Sequence, residues 1–277
     1  MSDVLEPALV GLIDDAAIFP PGDADLHAAS AAFLTRGSEP WADLVGTFVV
    51  RDLDVPLLRG TPAPLSIVVT GGAGQIGGPA GLCGKLGLEL AGLEIALRDL
   101  DDLAGNAQRV AVAVDAARAD GVLDDDVPVY VELPHAASTA SWKAAADEVA
   151  AAELRFKFRT GGLEADAFPD SQALAGWIDA ALDRETQFKC TAGLHRAVRH
   201  TSAEGFEQHG FLNVLVATHR AFEGAGTDEV VATLEERDAA TLAAADWTGA
   251  RRWFASFGSC SIDEPLADLR DLGLVAR

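Results

Sequence analysis

Short apolar segments rich in β-branched and aromatic residues alternate along the chain with longer segments that repeat apolar residues at helical spacing. The short segments predict strands at residues 17–19, 47–51, 65–70, 93–98, 127–133, 154–159, 187–191 and 254–258. The longer segments predict helices at residues 25–35, 82–90, 103–119, 141–152, 171–184, 211–223, 228–237 and 265–272. Strands and helices therefore alternate over the whole chain.

This alternation is typical of a parallel sheet covered by helices. Eight predicted strands in about 250 residues match the usual size of a (β/α)₈ barrel. No Pro/Ser-rich linker divides the chain. We therefore predict an α/β fold, a single (β/α)₈ TIM-like barrel that forms one domain over residues 1–277. An open doubly wound sheet would produce the same alternation and is the alternative.

The charge balance and the cysteines limit the classes of function. Forty-three acidic residues against 21 basic ones give a formal net charge of −22, which disfavours nucleic acid and anionic membrane surfaces as partners. No apolar run approaches the ~20 residues that span a bilayer, and the N-terminus lacks the features of a signal peptide. Three widely spaced cysteines fit a reduced compartment. We expect a cytoplasmic protein, and the oligomeric state stays open, a homo-oligomer included.

A glycine-rich segment gives the most conspicuous motif. Gly71–Gly78 contains GxGxxG directly after a predicted strand, as in a dinucleotide-binding unit. Two features argue against that function: the strand comes more than sixty residues into the chain, and Gly77–Gly84 is too rich in Gly and Pro for a stable first helical turn. We expect a flexible loop over a barrel mouth, and an NAD(P)-binding oxidoreductase stays an alternative.

Two lysines stand out because only four of the 21 basic residues are lysines. Phe156–Gly161 and Phe188–Gly193 share the pattern Phe-Lys-x-x-x-Gly at an interval of one βα repeat, which places Lys157 and Lys189 at equivalent positions of neighbouring strands. Strand alternation turns the flanking Phe residues toward the helices and both lysines into the barrel. A desolvated lysine near a second cation has a lowered pKa and can form a Schiff base. The alternative is a structural ion pair with a carboxylate such as Glu132.

Other polar residues at strand ends complete the predicted site. Glu132 is a general acid/base or a lysine counter-ion, and His195 is a proton shuttle. The histidine spacing there lacks a third ligand, so no metal is predicted. The following residues are predicted to hold an anionic group, by charge, by close backbone approach or at a helix start: Arg159, Gly161, Gly162, Gly193, Ser259 and Ser261.

Five segments together resemble a widespread bacterial family of conserved hypothetical proteins over nearly the whole chain. They are Phe19–Pro21, Lys157–Gly162, Phe188–His195, His209–Val214 and Ser256–Pro265. The resemblance supports a single domain and implies no particular chemistry. Asn213 belongs to this pattern and joins the predicted anion-binding residues on that basis.

Residues 154–195 are also similar to the lysine-bearing strands of deoxyribose-phosphate aldolase, which carry Lys-Thr-Ser-Thr-Gly and Lys-Ala-Ser-Gly-Gly motifs. The resemblance implies that Lys157 is the Schiff-base lysine and that Lys189 lowers its pKa. Phe158 and Arg159 depart from the family by replacing the small Thr-Ser pair. Thr191-Ala192-Gly193 replaces Ser-Gly-Gly, where the family binds phosphate, so Thr191 is a candidate anion-binding residue.

We therefore expect an enzyme of the lyase, aldolase or isomerase type that acts on a small anionic carbonyl compound without a cofactor. Lys157 would attack the carbonyl, Lys189 would tune it, and Glu132 or His195 would move the proton. A non-catalytic protein that binds small anions in the same pocket is a further alternative.

Overall fold

The computed structural model describes residues 5–276, which form a closed barrel of eight parallel strands. The barrel strands are β1 (Ile13–Asp15), β2 (Val45–Arg51), β3 (Leu65–Val69), β4 (Leu90–Ala96), β5 (Val129–Glu132), β6 (Arg155–Arg159), β7 (Phe188–Thr191) and β10 (Phe254–Ser259). Their order around the barrel is β1-β10-β7-β6-β5-β4-β3-β2, so each barrel strand pairs with the barrel strands before and after it in the chain, and β1 closes on β10. The predicted (β/α)₈ barrel is confirmed, and the alternative prediction of an open doubly wound sheet is wrong.

Helices cover the outside of the barrel. They are α1 (Leu26–Arg36), α2 (Gly77–Leu86), α3 (Leu103–Ala119), α4 (Ala140–Ala151), α5 (Ser171–Asp183), α6 (Phe211–Phe222), α7 (Thr227–Glu235), α8 (Ala239–Ala243) and α9 (Asp263–Asp271). Between β7 and α6 the chain forms a small antiparallel hairpin, β8 (His200–Thr201) and β9 (Glu207–Gln208), which lies outside the barrel sheet. The segment from β7 to β10 is therefore the most elaborate connection in the fold.

The main hydrophobic core lies between strands and helices. Phe156 and Phe158 on β6 stack on each other at 5.9 Å between ring centroids, and Phe158 packs against Trp177 of α5 at 5.6 Å. Phe188 on β7 joins them at 5.2 Å from Phe158. These rings face outward, as strand alternation predicts, so Lys157 faces the barrel interior.

Two predicted elements were misplaced. The first strand is Ile13–Asp15 instead of residues 17–19, because two buried aspartates hide it from an apolar pattern. Helix α2 begins at Gly77, where the prediction had a loop. Pro79 occupies the third position of this helix, where the backbone N–H has no intrahelical partner, so the proline is tolerated.

Candidate functional site

The two lysines lie side by side inside the barrel. Lys157 is paired in register with Glu132 on β5 and with Lys189 on β7. Their exposed fractions are only 5% and 2%. A buried ammonium group needs compensating charge, because isolated ions are strongly disfavoured away from water. The surroundings of both lysines are therefore set by carboxylates.

Glu94 on β4 bridges the two lysines. Its Oε2 lies 2.7 Å from Lys157 Nζ, and its Oε1 lies 2.6 Å from Lys189 Nζ. Ser66 on β3 donates a hydrogen bond of 2.7 Å to the same Oε1. Each oxygen of this fully enclosed carboxylate thus holds a different ammonium group.

Each lysine also contacts a second carboxylate. Glu132 Oε2 lies 3.0 Å from Lys157 Nζ, and Asp14 Oδ2 on β1 lies 2.7 Å from Lys189 Nζ. Lys189 Nζ further lies 5.2 Å from the ring centroid of Tyr130, within the range of a cation–π contact. Asp14, Glu94, Glu132, Lys157 and Lys189 form one continuous network, which we call the lysine–carboxylate network.

This network raises the pKa of both lysines, contrary to the predicted lowering. Burial alone would lower the pKa of Lys157, but the charges of Glu94 and Glu132 outweigh burial and the repulsion from Lys189, and raise it above 10.5. For Lys189, Asp14 and Glu94 likewise outweigh burial and raise the pKa. Both lysines are therefore ammonium ions in the resting protein.

The same charges act in the opposite sense on the carboxylates. Burial alone would raise the pKa of Glu94, but Lys157 and Lys189 hold it well below its ordinary 4.5. Lys157 and Arg159 likewise lower the pKa of Glu132 against the effect of burial. Both carboxylates are therefore ionised at neutral pH and stabilise the charged form of Lys157.

A cavity of about 610 Å³ opens above the network. Strand ends and the loops that follow them form its wall, as expected at the catalytic rim of a barrel. Eight of the predicted site residues line it: Glu132, Lys157, Arg159, Gly162, Lys189, Thr191, Gly193 and His195. The predicted residues from β5, β6 and β7 thus meet at one cavity.

The glycines pack against other parts of the chain. A Cβ on Gly161 would lie 2.7 Å from the Cα of Gly193, and a Cβ on Gly193 would lie 2.5 Å from the backbone oxygen of Thr160. Gly193 also has a φ of +79°, which favours glycine. These two residues therefore let the β6 and β7 loops touch, and close packing explains their identity.

At the start of α9, where an anion-binding position was predicted, the serine hydroxyls form hydrogen bonds within the chain. Ser259 Oγ donates to the backbone oxygen of Ser261 at 2.6 Å, and Ser261 Oγ accepts from the backbone N–H of Glu264 at 3.4 Å. Both hydroxyls are thus engaged in local turns.

Asn213 was assigned to the site incorrectly. It is fully buried on α6, where its side-chain amide donates to the backbone oxygens of Thr233 and Glu236 and accepts from the N–H of Arg199. All of these partners belong to the outer layer. The residue joins α6 to α7 and does not line the cavity that the described residues form.

His195 is positioned by an acidic partner. Its Nδ1 lies 3.1 Å from Glu264 Oε2, and its Nε2 lies 3.8 Å from the Cys260 thiol on the cavity wall. Burial and the charge of Glu264 raise the pKa of Cys260, so the thiol stays protonated. The group fits proton transfer by His195 better than attack by Cys260.

The sequence prediction missed Glu94 and Asp14. Glu94 stands within an apolar strand, the same signal that drew attention to the lysines, and could have been found by it. Asp14 could not, because the first strand was misplaced.

Gly71–Gly78 does not form the Rossmann unit that its GxGxxG motif suggests. The strand before it, β3, belongs to the closed barrel, whereas a Rossmann unit requires an open sheet.

No cluster of three or more His, Cys, Asp or Glu side chains suited to a metal ion occurs within residues 5–276. Over the same residues, no helix is long and apolar enough to cross a membrane.

The fold and the site together define a (β/α)₈ barrel with a lysine–carboxylate network beneath a cavity at the ends of its strands. The chain is similar to a solved structure of deoxyribose phosphate aldolase from Aeropyrum pernix, which is described as a unique tetramer. The TM-score is 0.57 at 12% sequence identity, and the match covers 96% of this chain and 93% of the other. At this identity the likeness shows a shared fold. No model of a known protein family matches the chain, and no curated protein matches it significantly.

Proposed function

We propose that this protein is an aldolase-like lyase that acts on a small anionic carbonyl compound through an imine at Lys157, without a redox cofactor. The observation that carries the proposal is Lys157 on the cavity wall, within 3.0 Å of two carboxylates, of which Glu132 is the proposed proton acceptor. Covalent catalysis by lysine needs such a base, because only the neutral amine attacks a carbonyl carbon.

Imine formation begins with transfer of a proton from Lys157 Nζ to Glu132, 3.0 Å away. The neutral amine then bonds to the carbonyl carbon, and the carbonyl oxygen takes up the proton from Glu132. The nitrogen of the resulting carbinolamine then gives its extra proton to Glu132, which passes it to the hydroxyl group, and that group leaves as water. The product is an iminium ion, which is the electron sink for the next step.

Bond cleavage follows when a base removes the proton of a hydroxyl group two carbons from the iminium carbon. That oxygen forms a carbonyl, the carbon–carbon bond breaks, and its electron pair forms an enamine on Lys157. His195 lines the cavity and is suited to this proton transfer. Protonation of the enamine carbon and hydrolysis release the second product. The same iminium would support enolisation, so an isomerase belongs to the same proposal.

Lys189 acts through Glu94 rather than on the substrate. Its ammonium group holds one oxygen of Glu94 while the other faces Lys157. This contact fixes the carboxylate and weakens its electrostatic attraction for the Lys157 proton.

The predicted cytoplasmic location and self-association of the protein stay predictions.

A non-catalytic binding protein is the second candidate, favoured by the raised pKa of Lys157. A permanent ammonium group in a cavity can bind an anion without reacting. In that case Lys157→Arg, which keeps the charge but cannot form an imine, would retain ligand binding, and the wild type would show no turnover.

Reductive trapping tests the proposal. The wild type is treated with cyanoborohydride and a panel of small aldehydes, ketones and oxo acids, and adducts are read by intact mass and peptide mapping. We expect an adduct on Lys157 that is lost in Lys157→Ala and reduced in Lys189→Ala. Lys143→Ala is the matched control, since Lys143 is an exposed lysine on α4.

An adduct that survives in Lys157→Ala would be surface labelling and would contradict the proposed site. Absence of any adduct, together with anion binding that Lys157→Arg retains, would favour the binding protein.

A further inference from the structure

The cavity has two chemically different sides. The side formed by β4 to β7 carries four members of the network, Glu94, Glu132, Lys157 and Lys189, together with Arg159, whereas the side formed by β2 and β3 presents Val49, Val68 and Val69. The barrel interior thus changes from charged to apolar across the cavity. A ligand that fills it must present a polar end to one side and an apolar end to the other.

Aromatic rings line the mouth of the cavity, on the loops that follow β6 and β7. Phe168, after β6, packs against Phe206 of the β8–β9 hairpin with 5.4 Å between ring centroids, and both line the cavity. Phe19 and Leu163 line it as well, and Leu163 is 63% exposed. Partly exposed apolar side chains gathered around one cavity indicate that an apolar ligand group covers them.

The places where a barrel usually binds phosphate are closed or acidic here. The Gly161 and Gly193 backbones pack on each other, and the Ser259 and Ser261 hydroxyls are engaged in local turns. Helix α9 begins with Asp263 and Glu264, whose charges repel a phosphate dianion at that helix terminus.

Two arginines remain available for a smaller anion. Arg98 and Arg159 both line the cavity, and within residues 5–276 their terminal guanidinium nitrogens donate no hydrogen bond. Arg159 uses only its Nε, toward Glu132 at 3.2 Å. A free guanidinium fork matches the geometry of a carboxylate.

We infer that the substrate is an unphosphorylated oxo acid with an apolar substituent. Its carboxylate lies on Arg159, its carbonyl carbon reaches Lys157, and its alkyl or aryl group packs against Phe168 and Phe206. The inference rests on the proposed function for the position of the carbonyl group, and on Arg159 and the aromatic rings at the cavity mouth for the rest.

Ligand discrimination tests the inference separately from covalent chemistry. Binding of pyruvate, 4-methyl-2-oxopentanoate, phenylpyruvate and deoxyribose 5-phosphate is measured by calorimetry, and reductive trapping is run on the same panel. We expect the two apolar oxo acids to bind roughly tenfold or more tightly than pyruvate, because their side chains leave water. Deoxyribose 5-phosphate should bind most weakly.

Variants of Phe206 locate the effect. Phe206→Ser should abolish the preference over pyruvate, while Phe206→Leu, which keeps an apolar side chain and guards against loss of fold, should retain it. Phe222→Ser is the matched control, since Phe222 is partly exposed on α6 and does not line this cavity.

Equal binding of pyruvate and the apolar oxo acids, tighter binding of the phosphorylated sugar, or no binding of either apolar acid overturns the inference. A preference for apolar oxo acids without any adduct supports the inference and contradicts the imine. An adduct on Lys157 from deoxyribose 5-phosphate, with no preference for apolar oxo acids, supports the imine and contradicts the inferred substrate.

Discussion

Glu94 is the residue on which the whole network depends. It is the shared counter-ion of two buried ammonium groups, and it is itself only 2% exposed. Buried ion pairs add little net stability when intact, but removing one member leaves an uncompensated charge. Without Glu94, Lys157 and Lys189 would each retain one carboxylate. Their ammonium groups would repel each other, because no negative charge would lie between them.

Glu94→Gln should therefore destabilise the protein by about 3–5 kcal/mol, the range for breaking a buried ion pair. Chemical denaturation at neutral pH measures the change in the free energy of unfolding. Glu235→Gln on the exposed face of α7 is the control and should change it little. A loss similar to that of the control would mean that the lysines release their protons or find water.

The raised pKa of Lys157 predicts a pH dependence for imine formation. Below that pKa, the fraction of Lys157 that has lost its proton to solvent increases with pH, and it adds to the amine formed by transfer to Glu132. The rate of reductive trapping should therefore rise steadily from about pH 6 to about pH 9, without a plateau. A plateau near neutrality, seen by mass spectrometry of timed samples, would show that substrate binding lowers the pKa of Lys157.

The lysines could be predicted because a charge within an apolar strand is rare and its direction follows from alternation. Their protonation state could not, since it depends on Asp14 and Glu94, which lie 175 and 95 residues away from Lys189 in the chain. The sign of a pKa shift is a property of the assembled barrel.

At the scale of elements, glycines play opposite roles in α2 and in the β7 loop. Gly84 lies within helix α2, and a Cβ there would meet no other atom within 4 Å. Gly193 has a positive φ and touches the backbone of Thr160. The first glycine weakens its element, whereas the second permits a contact between two loops at the cavity.

The pair gives a matched test of these roles. Gly84→Ala should stabilise the protein by about 0.5–1 kcal/mol, because alanine restricts the unfolded chain and favours the helix. Gly193→Ala should lower the melting temperature and weaken anion binding, since its Cβ would meet the Thr160 oxygen at 2.5 Å. Thermal denaturation of both variants measures the effects, and equal shifts would contradict the assignment.

Most elements followed from periodicity, and the exceptions have physical causes. Helix α3 occupies the predicted residues 103–119 because its apolar spacing is unbroken. The β8–β9 hairpin has only two residues in each strand, too few to show a pattern, although it carries Phe206 into the cavity. This short irregular connection therefore held one part of the site that the sequence did not reveal.

At the scale of the molecule, the barrel could be predicted from the number and spacing of its strands, whereas contacts across its interior could not. Strand pairing is local in the chain, because most neighbours are consecutive. The Lys189–Asp14 contact instead joins the first and the seventh strands. Such a contact exists only once the barrel is closed.

The network also divides the chain into two unlike parts. Asp14, Glu94 and Glu132 come from the strands before residue 133, and Lys157 and Lys189 come from those after it. Each half on its own would gather charges of one sign along an interior surface, so neither is suited to pair with a copy of itself. We expect fragments 1–136 and 137–277 to be unfolded separately and to regain ordered structure when mixed, as circular dichroism would record. The first part supplies five barrel strands and the second supplies three, so a duplicate of either part would differ from this barrel in strand number as well as in interior charge.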